Sequence, residues 1–155
     1  MNTKVILLGL ALTVSLAAAS PASSQEAPPP SEKAKQTEAL VNKAAALIDK
    51  NGKAALAEFR KKDSEWFDGD TYLFSYDMNA NVLLNPAFPK REGTNVHGQK
   101  DAKGKLFHDE MIKTAETKGS GWVDYMFPRP GQTEPSQKWT YVKRVTIDGK
   151  GIWMG

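Results

Sequence analysis

Cysteine is absent from all 155 residues. That excludes a disulfide framework, a c-type haem attachment and a lipoprotein cysteine. Histidine occurs only as His97 and His108. Zinc needs three or four converging ligands, and His108-Asp109-Glu110 offers one imidazole beside two acids that diverge around a helix. We read that trio as a solvated helix face and expect no metal. A nucleophile elbow, a phosphate loop and a dinucleotide fingerprint are all missing, and Gly119-Ser120-Gly121 is too short for the first. Carboxylates paired in a pocket context are missing as well. An enzyme, whether hydrolase or lyase, is therefore not expected, and neither is a cofactor. The net charge is only +3. Lys100, Lys103 and Lys105 come nearest to a basic patch, but Asp101 and Asp109 dilute them, so no nucleic-acid partner is expected. Asp77-Met78-Asn79-Ala80-Asn81 opens like a calcium loop. Val82 stands where that loop needs glycine, and no glutamate follows at the right place. A hairpin turn explains those side chains better.

Long apolar runs are also scarce. The one candidate, residues 5–16, falls short of the roughly 20 residues a spanning helix needs. Lys4 precedes it and Ala17-Ala18-Ala19 follows, the order of a secretory signal peptide over residues 1–24. Cleavage leaves no membrane anchor and puts the mature chain in the periplasm or outside the cell. Residues 25–30, QEAPPP, read as a Pro-rich linker. Residues 31–155 then form one domain, long enough to bury a core without disulfides.

Within that domain Ser31 is an N-cap with Glu32 in the first turn. Leu40, Val41, Ala44, Leu47 and Ile48 recur at helical spacing and face a core. Asn51-Gly52 stops or kinks the helix. Residues 71–77 read as a strand with Tyr72, Phe74 and Tyr76 on one face. It is expected to pair with residues 81–85. A long irregular segment follows to about Gly104, pinned by Phe88 and Val96; loops of that length are usually functional. Residues 105–117 read as a helix with Leu106, Phe107, Met111, Ile112 and Ala115 on its apolar side. Gly119 ends it. The order predicts an α+β fold, with helices packed on an antiparallel sheet.

The richest stretch is residues 119–147. Trp122, Val123, Tyr125, Met126 and Phe127 suit a pleated sheet. Pro128, Pro130, Gly131 and Pro135 interrupt it, and Trp139, Tyr141, Val145 and Ile147 share one face of the returning strand. A last hairpin turns at Asp148-Gly149-Lys150. Aromatic walls beside Lys138 suit a small acid. A buried carboxylate needs charge-assisted donors, and its short alkyl tail gains from an apolar wall. We expect Lys138 to meet the oxygens, Tyr125 and Tyr141 to donate their hydroxyls, and Tyr76, Phe88 and Phe127 to hold the apolar end. Lys90, Arg91 and Arg129, on flanking loops, are the fallback donors.

GWVDYMFPRPG followed by KWTYVKRV resembles the end of an extracytoplasmic Cache sensor domain. DGDTYLFSYDMNANVLLNPAFPKREGTN resembles its start: an aromatic strand, a turn, a second strand, then a proline-rich segment closing on Gly93-Thr94-Asn95. Asn79 and Asn81 stand where the family more usually has glycine. The resemblance implies a PAS-like, five-stranded antiparallel sheet. A long N-terminal helix covers one face, and a loop plus short helix enclose a ligand pocket on the other. It also implies a sensor for a small carboxylate such as acetate, propionate, pyruvate or lactate. Family members usually continue into a Gly-x-Gly-x-Tyr ending, whereas this sequence stops after Ile152-Trp153-Met154-Gly155, so either a short, frayed last strand or a truncated chain is expected. Members mostly sit on receptors. No output module is seen here, so a membrane receptor or signalling partner is expected to carry the signal. The rival reading is an accessory interaction subunit without ligand, docking through residues 128–135.

Overall fold

The computed structural model describes residues 27–155. The expected signal peptide and the start of the expected linker lie outside the described residues. Helix α1 spans Glu32–Asn51. Ser31 caps it, its hydroxyl accepting the Ala34 amide at 3.1 Å, which satisfies one of the orphan donors of the first turn. The helix ends at Gly52, whose φ of 55° suits glycine and whose N–H reaches the Ile48 carbonyl. One further turn, α2 (Ala55–Glu58), follows.

Seven strands come next: β1 (Phe67–Asp68), β2 (Thr71–Tyr72), β3 (Ser75–Asp77), β4 (Val82–Leu84), β5 (Ser120–Pro128), β6 (Pro135–Ile147) and β7 (Lys150–Met154). Five form one antiparallel sheet in the order β4-β3-β7-β6-β5. Helix α3, Phe107–Lys118, precedes β5 and ends at Gly119, with φ 76°.

Three expectations need correcting here. The strand expected over 71–77 is broken. Its first part pairs with β1, and only its last part pairs with β4. The final strand is not frayed, because β7 lies at the centre of the sheet between β3 and β6. Trp153 and Met154 are fully buried, and Gly155 exchanges both backbone hydrogen bonds with Phe74. Leu106 is 42% exposed and precedes α3; the apolar side of α3 is carried by Phe107, Met111 and Ala115. The Asp77 turn is a hairpin. Its carboxylate accepts the amides of Asn79 and Asn81 at 2.9 and 2.8 Å, the Asx geometry expected of those residues.

The sheet separates two cores. On one face α1 packs Val41, Ala44, Ala45 and Ile48 against Leu73, Leu84, Val145, Ile152 and Met154. Leu40 and Leu47 sit half-buried at the edge of that stripe. On the other face α3 and the long loop cover a mainly aromatic core: Tyr72, Phe74, Tyr76, Phe107, Tyr125 and Trp153. The loop pairs along the outside of β4. The Val82 amide donates to Thr94 O at 2.9 Å, and the Val96 amide to Ala80 O at 3.0 Å. Asp101 then ties the loop to the far edge of the sheet, accepting the Met126 amide at 2.8 Å. These bonds hold the loop over the aromatic face.

Candidate functional site

The β5–β6 hairpin outruns its neighbour. β6 pairs with β5 from Pro135 to Lys143, but with β7 only from Lys143 to Ile147. Its outer half therefore borders a cleft of about 430 Å³. Strand alternation sorts the lining. Lys138 and Thr140 point to the aromatic face with Tyr72, Phe74 and Phe127. Trp139 and Tyr141 point to the α1 face with Trp122 and Ala34.

Lys138 is the group that stands out. Counted whole the residue is half-buried, but its ammonium is the enclosed end. Nζ lies 4.0 Å from the Tyr72 ring centroid, 5.3 Å from that of Phe74 and 5.9 Å from that of Phe127. It donates to the Tyr72 hydroxyl at 2.7 Å. Three ring faces stabilise a cation, yet no carboxylate lies within ion-pair distance of it among the described residues. Asp70, the nearest acidic influence, is paired with Arg129 at 3.2 Å. Desolvation pulls the Lys138 pKa down to about 7, and the charge of Asp70 only partly opposes it. The same burial pushes the Tyr72 hydroxyl well above its usual range, so it stays a neutral hydrogen-bonding group.

A second cation flanks the same ring. The Arg91 guanidinium lies 5.4 Å from the Phe127 centroid. It donates to Gln99 at 2.7 Å and to His108 Nε2 at 3.2 Å. Since Nε2 accepts, the His108 proton sits on Nδ1. Burial first, and the charge of Arg91 second, hold the His108 pKa at about 3, so the imidazole is neutral. His108 is 2% exposed and packs between Phe107 and Tyr76. The solvated-face reading of His108 is thus overturned: the sequence neighbours Asp109 and Glu110 stay nearer the surface while the ring turns into the core. Arg91 Nε, His108 Nδ1 and Trp153 Nε1 are all buried donors without an acceptor. The aromatic face is rich in donors and poor in acceptors. Among the described residues, no group of three His, Cys, Asp or Glu side chains could hold a metal ion.

The six expected site residues divide. Lys138 and Phe127 line the cleft. Phe88 packs edge-on to Phe127 at 5.3 Å. Tyr125 and Tyr76 lie deeper. The Tyr125 hydroxyl is paired with Thr140 at 2.9 Å, its ring stacks on Phe107 at 4.6 Å, and burial raises its pKa well above the usual range. The Tyr76 hydroxyl accepts from Asn85 at 3.4 Å, and its ring stacks on Trp153 at 4.5 Å. Tyr141 takes the opposite face of the sheet from Lys138. It borders the cleft from the α1 face, where its hydroxyl donates to Ser120 at 3.1 Å and its ring meets Trp122. Tyr125 and Tyr141 therefore cannot converge on one ligand from the same side of the sheet. The partner that sequence reasoning missed is Tyr72. Its signal was present, since Tyr72, Phe74 and Tyr76 alternate onto one face.

The Cache domain family profile matches residues 31–147. The chain belongs to the Cache family. This Cache domain is 30% identical over 92 residues to the methyl-accepting chemotaxis protein McpP of Pseudomonas putida, a stretch covering 57% of this chain and 17% of that protein. The chain thus spans a small part of that relative's length. Among solved structures, a Cache chemosensory domain described for carboxylic acid recognition superposes with a TM-score of 0.66 at 26% identity, covering 79% of this chain and 91% of that one. The periplasmic sensor domain of a chemotaxis protein gives 0.60, also at 26%, over 78% and 87%. A methyl-accepting chemotaxis protein from Vibrio parahaemolyticus shares the fold, with a TM-score of 0.59 at 18% identity over 79% and 87%. The α+β architecture read from the sequence, a long helix on a five-stranded antiparallel sheet, is that of these sensor domains.

Proposed function

We propose that this Cache domain binds a small carboxylic acid in the cleft beside Lys138 and performs no chemistry on it. The observation that carries the reading is an ammonium enclosed by Tyr72, Phe74 and Phe127 without an acidic partner. A carboxylate supplies the missing countercharge, and the three rings take its short alkyl tail. Burying a lone charge is costly, so an anionic ligand gains from a site already desolvated and oriented. The cleft volume suits an acid of few carbons with room for water. Phe88 backs Phe127. Tyr125 and Tyr76 form a second layer that fixes the wall rather than touching the ligand. The carboxylic-acid recognition described for one structural relative supports the ligand class. Its setting in chemotaxis receptors supports a sensor exposed to the periplasm that passes its signal to a membrane receptor or signalling partner.

A thermal-shift screen with acetate, propionate, pyruvate and lactate tests this. At least one should raise the melting temperature of the wild type and fail to do so for Lys138→Met. Stabilisation by none of the four would turn the choice to the accessory-subunit reading.

A further inference from the structure

We propose that the acid enters this site together with a proton, which Lys138 takes up, so that the domain responds to the acid and to pH jointly. The inference rests on the carboxylate-binding reading above and adds its regulation.

Several elements of the fold surround Lys138 Nζ. From the β1–β2 side come Tyr72, which accepts its hydrogen bond, and Asp70, whose carboxylate is engaged by Arg129. From β5 come Phe127 and Tyr125, the latter directly opposite Lys138 in the register and tied to Thr140. From the long loop comes Arg91, on the far side of the chamber. From α1 comes Lys33, at the cleft's rim, and the carbonyl of Gly155 is taken by the Phe74 amide. Only Asp70 is acidic, and it already has a partner. The other charged neighbours are cations. Nothing on the protein favours the charged lysine except ring faces and one phenol oxygen.

An empty site of this kind favours the neutral amine, and the pull of the Lys138 pKa to about 7 agrees. A carboxylate entering beside Nζ reverses the balance. The attraction of opposite charges in a desolvated site raises the amine's proton affinity. The step balances simply. Solvent supplies one proton, the nitrogen lone pair takes it, and the resulting ammonium pairs with the carboxylate. No covalent bond to the ligand forms. Below pH 7 the free amine is already protonated, so binding takes up little. Above it, each bound acid brings nearly one proton, and affinity falls by about tenfold per pH unit until the pKa of the complex is reached.

The experiment is isothermal calorimetry with propionate at pH 6 and pH 8.5, each in buffers of low and high ionisation enthalpy. The dependence of the observed heat on buffer enthalpy gives the number of protons taken up. The expected result is near zero at pH 6 and approaching one at pH 8.5, with at least a tenfold loss of affinity between them. Lys138→Arg keeps a cation that does not titrate in this range. It should bind propionate with no proton uptake and a flat pH profile, while Lys138→Met binds weakly at both pH values. Wild-type binding at pH 8.5 without proton uptake, or a pH profile in Lys138→Arg as steep as the wild type's, overturns the coupling and leaves carboxylate binding standing. Failure of propionate, acetate, pyruvate and lactate all to bind at pH 6 overturns the binding reading and the coupling with it.

Discussion

The two faces of the sheet are built to different rules. The α1 face is mainly aliphatic and tightly packed beneath the helix. Val41, Ala44 and Ile48 meet Leu73, Val145, Ile152 and Met154, and its polar groups are paired at the margins, as where Trp122 donates to Glu38 at 2.7 Å. The α3 face is aromatic and electrostatically incomplete. It encloses an ammonium without an acid, and a guanidinium, an imidazole and an indole that each keep a donor unused. The first face leaves one small hydroxyl, that of Ser75, buried without a partner; the second leaves three N–H donors unpaired and so departs further from the rule that buried polar groups are satisfied. In one molecule such a difference separates the half that holds the fold from the half poised for a ligand.

Substitutions should respect that division. The largest effect on folding is expected at Ile48, fully buried on the α1 face. Ile48→Ala should cost about 2–5 kcal/mol in chemical denaturation while leaving propionate affinity in the surviving folded protein unchanged. Leu47→Ala should cost less, because Leu47 only borders the same core. A binding defect in Ile48→Ala would erase the separation between the faces.

Lys138→Met should invert the pattern. Affinity for propionate should fall by about 1.5–3 kcal/mol, the worth of a hydrogen bond to a charged group. Stability at pH 7 should hold or rise, because a buried cation without an acid is replaced by an apolar chain of similar shape. A loss of stability alongside unchanged affinity would make Lys138 a structural residue.

The acid response of the α3 face comes next in size. Unfolded His108 takes its proton near 6.5, whereas folded His108 waits until about 3. Between those values the unfolded chain binds more protons. Stability is therefore full above about pH 6.5 and falls by up to about 1.4 kcal/mol per pH unit as the pH drops. Part of that slope should vanish in His108→Phe, measured by urea denaturation at several pH values. An unaltered slope would mean that the ring reaches water.

The smallest effect is expected at Tyr141, on the α1 side of the cleft. Tyr141→Phe should change propionate affinity by less than about 0.5 kcal/mol, since the hydroxyl is spent on Ser120. A tenfold loss would bring the α1 face into the site.

Much of this was legible in the residues. Helix α1 is announced by its cap, its stripe and its stop, all local signals. The hairpin β5–β6 is announced by aromatic runs around a proline-rich turn. The opposed faces of Lys138 and Tyr141 were legible too, because period-two alternation separates residues 138 and 141. Other features depend on contacts far apart in the chain. His108 looked solvated because its neighbours are acidic, and nothing local reveals that Arg91 and Tyr76 enclose it. The aromatic alternation of Tyr72, Phe74 and Tyr76 was visible, but the contact between Tyr72 and Lys138 joins residues from distant strands and needed the folded chain. The central place of β7 was likewise hidden, since strand order is not encoded in any single strand.

The central claim is that a small carboxylate sits on the aromatic face, against the ammonium of Lys138. Isotope-edited nuclear Overhauser spectroscopy with ¹³C-labelled propionate tests it most directly, because both faces border the cleft and each has its own rings. The result expected is contact between the propionate methyl protons and the rings of Tyr72, Phe74 and Phe127, lost in Lys138→Met. Contacts to Trp122, Trp139 and Tyr141 instead, retained in Lys138→Met, would contradict it.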